Sequence, residues 1–317
     1  MTTQGTVICL GIMVADLIGW PTEALPAAGE LTLVDNMQLH TGGCAVNTAT
    51  ILADLQIPVE IIGRVGDDPL GDFLIESLRA CGVNTNTVVR SATSNTSATM
   101  VMVEPDGERR FVHYLGANAQ LTLADVDMQQ IRQAAMLHVA GSLVLPGLDG
   151  APTATLLREA QEAGVSTFLD TVWDATGRWI TLLESALPYI DYFVPNLPEA
   201  RALTGRDNPK EVARALIDHG VKTVIIKMAD QGCYLMNAAG QHLHVPAFDV
   251  QAVDTTGAGD AFAAGFIAGI WHGWPLEKTV RFANAVGALS VTGSSARGNI
   301  RSLNEILSFM HNTPRRV

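Results

Sequence analysis

The sequence predicts an α/β fold, with a mostly parallel central sheet flanked by helices and a small β-sheet set apart from it. Three observations carry that expectation. Short apolar runs alternate with helical patterns along most of the chain, two stretches break the alternation with β-rich or extended patterns, and the final third reads as helices alone. A chain of 317 residues can bury a substantial core. Hydrophobic residues make up 48% and charged residues 16%, the latter below the about 25% of an ordinary soluble domain, so much surface should be buried.

In chain order, strands are expected at 6–11, 59–63, 136–140, 166–170, 192–194 and 223–227. Helical patterns fall between them at 45–55, 70–80, 151–163, 178–186, 198–204 and 210–218, followed by helices at 258–271, 276–291 and 303–311. Residues 30–40 read as extended chain. Residues 97–116 read as a hairpin turning at Pro105-Asp106-Gly107, where proline presets φ and glycine tolerates the turn. No repeat, low-complexity tract or linker divides the chain, so a single domain over 1–317 is expected, with a lid at about 13–41 and 95–116.

The formal charge of −12 argues against a nucleic-acid partner, which needs a basic face. Cys9, Cys44, Cys81 and Cys233 are scattered without a C-x-x-C pair, consistent with reduced thiols. The N-terminus lacks a basic segment followed by a long apolar run, and residues 258–271 are too few to span a bilayer. The expectation is a cytoplasmic protein with no membrane partner.

The most informative stretch is V-D-T-T-G-A-G-D-A-F-A-A-G-F at residues 253–266. It is not a dinucleotide fingerprint, because the place of the third glycine is Phe262. If Ala258 opens a helix, the first-turn N–H groups lack intrahelical partners and sit at the positive end of the dipole. Gly257 and Gly259 allow a ligand close to that backbone, which gives an anion cradle without a lysine. Asp260, in the first turn, could accept a proton from an attacking hydroxyl. Read alone, the heptapeptide fits a capped helix equally well, with Thr256 as N-cap and Asp260 facing the dipole. The helix beyond is apolar all round, and Gly265 and Gly269 inside it imply close packing.

D-T-T-G-A-G-D, together with G-G-C-A-V-N at 42–47, resembles the two signatures of the ribokinase/PfkB family of carbohydrate kinases. The similarity extends through G-R-V-G-D-D-P-L-G at 63–71, G-A-N-A at 116–119 and P-N-L-P-E-A-R-A-L-T-G at 195–205. It implies a ribokinase-like fold and a kinase that uses ATP and Mg2+ to phosphorylate a small sugar or sugar acid. Asp260 would be the base, with the backbone of Gly257, Ala258 and Gly259 as the anion hole. Asp16, Gly42, Gly43 and Asn47 would meet the sugar; Asn47, a polar amide in an apolar helix, should have a partner in any case. Asn196 and Glu199 match an N-x-x-E element that places magnesium and phosphate, Glu199 acting mostly through water, although the pair also reads as a capping box. Lys227, Gly232 and Asn284 match nucleotide-side positions. A K+ site would fall at Asp254, Thr256, Ser290, Gly293, Ser295 and Asn299, largely through backbone carbonyls. A homodimer through the lid is also implied.

Departures from ribokinase itself at Val14, at Cys44 and along 137–146 leave the sugar unnamed. A nucleoside kinase, a sugar-phosphate kinase and a non-catalytic sugar-binding regulator remain alternatives. His242 and His244 share a strand face without a third ligand, so a surface strand outweighs a metal pair. Arg109 and Arg110 are adjacent and should face opposite ways, with solvated side chains as the default.

Overall fold

The computed structural model describes residues 5–22, 28–104, 108–293 and 295–316. Among them the strands are β1 (Val7–Gly11), β2 (Val14–Trp20), β3 (Asn36–Gly42), β4 (Val59–Ile62), β5 (Arg64–Gly66), β6 (Val89–Ser91), β7 (Ala98–Val103), β8 (Arg109–Tyr114), β9 (Met136–Ser142), β10 (Ser166–Thr171), β11 (Tyr192–Phe193), β12 (Thr223–Lys227), β13 (Cys233–Asn237) and β14 (His242–Val245). The α-helices are α1 (Cys44–Asp54), α2 (Pro69–Ala80), α3 (Met128–Gln133), α4 (Ala151–Glu162), α5 (Ile180–Leu183), α6 (Leu197–Thr204), α7 (Pro209–Asp218), α8 (Ala258–Trp271), α9 (Leu276–Ser290) and α10 (Leu303–Asn312).

Eight strands form the main sheet in the order β14-β13-β12-β11-β10-β9-β1-β4. From β4 to β12 neighbouring strands are parallel, and β13 and β14 return antiparallel. Every residue of β1 and β9 is buried, because helices cover both faces, and both strands are accordingly mostly apolar. One face packs against α1, α2, α8, α9 and α10, the other against α3, α4, α5, α6 and α7. A separate four-stranded sheet has the order β3-β2-β7-β8.

The apolar helix α8 is buried from Asp260 to Gly269. Its inner glycines mark where α9 lies closest. A Cβ on Gly265 would stand 2.9 Å from Ala283 Cα, and one on Gly269 would stand 2.6 Å from Thr279 Cγ2. Beneath the strands, His138 on β9 is fully buried, and neither ring nitrogen has a hydrogen-bond partner among the described residues. Burial, and then the charge of Lys227, lower its pKa to about 3.

Three sequence expectations shift in detail. The helix expected at 178–186 contracts to α5, because the Asp174 carboxylate accepts from the N–H groups of Thr176 and Trp179 and curls the chain before it. In the extended stretch 30–40, β3 begins only at Asn36, which pairs with the last β2 residue, Trp20. The hairpin forms from β7 and β8, whereas the turn at Pro105-Asp106-Gly107 lies outside the described residues. The antiparallel return through β13 was not anticipated. No described helix is long and apolar enough to cross a membrane.

Gly265→Val would force a branched side chain against Ala283 and Val286. Overpacking of this kind costs about 1–3 kcal/mol, so the urea midpoint should fall with its m-value unchanged.

Candidate active site

The candidate site lies at the carboxyl ends of β10 and β12, where α/β sheets bind ligands, and at the first turns of α1 and α8. Gly257 is the N-cap of α8, with φ 74 in the left-handed region. A Cβ there would also sit 2.3 Å from the Ala296 Cβ, so glycine is required on both counts. Ala258 N–H donates to Thr255 O at 3.3 Å and Ala261 N–H to Gly257 O. The N–H groups of Gly257, Gly259 and Asp260 have no acceptor among the described residues. Gly257, Ala258 and Gly259 are half-buried, whereas the Asp260 residue is only 9% exposed. The helix therefore offers a reachable turn of bare amides beside a buried carboxylate.

Asn47 supplies the amide that steadies this carboxylate. It lies one turn into α1, whose N-cap is Gly43, and its Nδ2 donates to Asp260 Oδ2 at 2.7 Å. The partner that a polar amide in this apolar helix requires is thus Asp260. Thr48 Oγ1 donates to the Asp260 carbonyl at 3.4 Å, and the Cys44 thiol faces the Asp260 carboxylate. Burial raises the pKa of Asp260, while Asn47, Lys227 and Cys44 pull it back.

Lys227, at the end of β12, reaches both Asp170 oxygens at 2.9 Å. A Cβ on Gly259 would stand 3.1 Å from its Nζ, so the ammonium flanks the glycine turn. Burial works against the charge on Lys227, but Asp170 and Glu199 outweigh it and raise its pKa, so the ammonium keeps its charge. Burial pushes Asp170 upward against the pull of Lys227. Glu199 is 5% exposed; its Oε2 accepts from Thr171 Oγ1 at 2.9 Å and from Asn196 N–H at 3.2 Å. Asn196 Oδ1 in turn accepts from Glu199 N–H, which completes the capping box.

The remaining candidates occupy two other places. Gly42 lies against Asp16, where a Cβ would meet Asp16 Oδ2 at 2.0 Å. Burial raises the Asp16 pKa, with Thr99 and His40 opposing it. Gly232 (φ 86) and Asn284 converge on the Val245 carbonyl: a Cβ on the glycine would lie 2.0 Å from it, and Asn284 Nδ2 donates to it at 3.0 Å. These two residues therefore hold the end of β14. His242 and His244 each contact a backbone carbonyl, of Gly240 and Gln231.

At the expected cation positions, Asp254 Oδ1 accepts from Thr256 N–H at 2.8 Å and Oδ2 from Ser295 N–H at 3.3 Å. Ser290 Oγ donates to Gly287 O, Asn299 Nδ2 donates to Thr292 O, and Gly293 packs on Gly298. The default of a solvated Arg109 is overturned. Its Nη2 lies 2.8 Å from Asp254 Oδ2, with the side chain only 22% exposed, and its Nη1 donates to Thr256 Oγ1. Arg110 points elsewhere, to Glu104, and is 66% exposed. Although burial raises the Asp254 pKa, the Arg109 and Thr256 donors bring it below the ordinary value. With a guanidinium already against this carboxylate, the residues do not fit a free monovalent cation at the same oxygen.

Asp170 and Thr171 belong to the site region but carry no motif in the sequence, whereas Arg109 is singled out there only as a lid arginine with solvation as the default. Position at the end of a parallel strand was the only available signal for Asp170.

This fold and this clustering define a phosphotransferase scaffold, and the comparisons agree. A family model described as pfkB family carbohydrate kinase matches residues 4–302. The ribokinase of Schizosaccharomyces pombe is 32% identical over 314 residues, covering 95% of this chain and 96% of that protein. The deoxyribokinase of Salmonella typhi is 30% identical over 308 residues, covering 95% and 98%. The structure of Arabidopsis thaliana ribokinase complexed with ribose and ATP matches with a TM-score of 0.85 at 26% identity, covering 97% of this chain and 99% of that one. The chain belongs to the pfkB family of carbohydrate kinases, phosphotransferases with an alcohol group as acceptor, and its fold is ribokinase-like.

A reaction that needs ionised Asp260 should fade on the acid side at a pH above the ordinary aspartate pKa of about 3.9. Asn47→Ala removes a donor that favours the ionised form, so the acid limb of kcat/KM should move to higher pH. A limb that stays in place would belong to another group.

Proposed function

We propose that the protein transfers the γ-phosphoryl group of ATP to a hydroxyl of a small sugar or sugar acid, with Asp260 as general base. The observation that carries this reading is the pairing of bare amides at Gly257 and Gly259 with a buried, Asn47-anchored carboxylate in the same helical turn. The binding of ribose and ATP by the Arabidopsis relative supports ATP as donor and a sugar as acceptor.

As the acceptor oxygen attacks phosphorus, Asp260 takes its proton, a contribution of about 10²–10⁴ in rate. Charge spread over the phosphoryl oxygens meets the backbone turn of Gly257, Ala258 and Gly259, with the Lys227 ammonium beside it. The first and third N–H groups of that turn are bare among the described residues, and Ala258 N–H makes a long 3.3 Å bond to Thr255 O. Asp170 holds that ammonium in place through both its oxygens. Glu199 would hold Mg2+ mostly through water: its Oε2 already serves Thr171 and Asn196, which leaves Oε1 to meet a water of the metal. When bound on the nucleotide, Mg2+ would neutralise phosphate charge that repels the attacking oxygen.

The small sheet is assigned as a lid over a single domain, with Asp16, Gly42 and Gly43 on the acceptor side. Leu39, Leu17, Met100 and Val112 align across its four strands, and all are exposed. A row of this kind supports homodimerisation through the small sheets.

A coupled ADP assay should show release with one or more members of a panel of pentoses, hexoses and sugar acids, and none with nucleosides. Asp260→Asn should lower turnover by at least about 10²-fold while ATP binding, read by calorimetry, is retained. Unchanged turnover would remove Asp260 from the base role.

A further inference from the structure

We infer that Arg109 is a positioning residue that takes the place of a free monovalent cation at the loop leading into α8, so that seating of the small sheet orders the anion cradle. The inference rests on the phosphotransfer reading and concerns what holds that cradle in shape.

Arg109 is the first residue of β8, the edge strand of the small sheet. Its guanidinium bridges two groups of one loop: Asp254 Oδ2 at 2.8 Å and the Thr256 hydroxyl. Thr256 immediately precedes Gly257, the left-handed N-cap on which the α8 amides depend. The same Asp254 carboxylate ties Thr256 N–H to Ser295 N–H, joining this loop to the chain that follows α9. Asp254 is therefore the knot between the two loops around the cradle, and it is only 8% exposed.

A carboxylate buried to that degree, near the negative end of α9, needs a positive partner. A guanidinium meets the need with fixed charge and forked donors that suit one carboxylate oxygen and one hydroxyl together. A bare cation at the same oxygen would be repelled by it. The two adjacent arginines divide the work: Arg110 is held by Glu104 at the far side of the strand, while Arg109 reaches across to a loop 147 residues away in sequence at Thr256. Because the charge arrives on a strand of the small sheet, the cradle is complete only when that sheet is seated.

The test compares the full-length wild type, Arg109→Ala and Arg109→Lys in KCl and in choline chloride at equal ionic strength, by steady-state kinetics and thermal melting. Wild-type kcat should change less than about twofold between salts, whereas Arg109→Ala in choline should lose about 10–100-fold in kcat, the scale of a small misplacement. The acceptor KM of that variant should change much less. KCl should restore most of the loss and raise the melting temperature of Arg109→Ala alone, and Arg109→Lys, a point charge without the fork, should fall between. A wild type that needs K+ as much as Arg109→Ala overturns the inference, as does an Arg109→Ala enzyme that keeps wild-type kcat in choline or that K+ neither activates nor stabilises. If no sugar is phosphorylated by the wild type, the phosphotransfer reading fails. The melting comparison then still decides the inference.

Discussion

The hydrogen bond from Asn47 to Asp260 joins the first turns of two helices that are 213 residues apart in sequence. It is possible only because α1 and α8 pack side by side on one face of the main sheet with their N-termini at the same end. That juxtaposition fixes the direction of the carboxylate relative to the first turn of α8. Gly43 and Gly257, each at positive φ, let the two chains enter their helices there without steric conflict. The site is thus a property of how two helix ends meet.

Around that junction, charge is arranged with little margin. Among the described residues Lys227 is the cation bonded to the buried Asp170 carboxylate, and Glu199 and Asp260 also act on it electrostatically. In a chain of net charge −12, an anion near this turn would depend on local dipoles and on Lys227, since the chain as a whole offers no attraction. The backbone dipole of α8 adds positive potential beside the Lys227 ammonium, and it is placed by packing and not by a basic side chain.

Much of this architecture was legible before the structure. The span of α8 and of β12 could be read to the residue, because a glycine pair runs directly into an unbroken apolar segment and because T-V-I-I-K is a clean buried strand. The Gly257–Asp260 turn and the Asn196–Glu199 cap were legible for the same local reason. What escaped was long-range. Asp170 looks like any aspartate closing a strand until Lys227, 57 residues on, is seen against it. Arg109 looked solvated because nothing near it in sequence reveals Asp254. Asn284 and Gly232 matched a nucleotide-side pattern, yet their visible partner is the Val245 carbonyl. The shortening of α5 follows from an aspartate-centred turn that competes with a helical pattern too weak to resist it.

The buried imidazole of His138 carries a consequence for the whole molecule. In the unfolded chain it would take up a proton near pH 6.5, whereas in the native fold it does so only at about 3. Between those values the denatured state binds the extra proton, so this ring taken alone favours the denatured state by about 1.4 kcal/mol more for each unit of acidification. Burial lifts Asp170 to about 7, so that carboxyl holds a proton in the fold across much of the same range, and two buried groups of opposite kind counter one another as the solution turns acid.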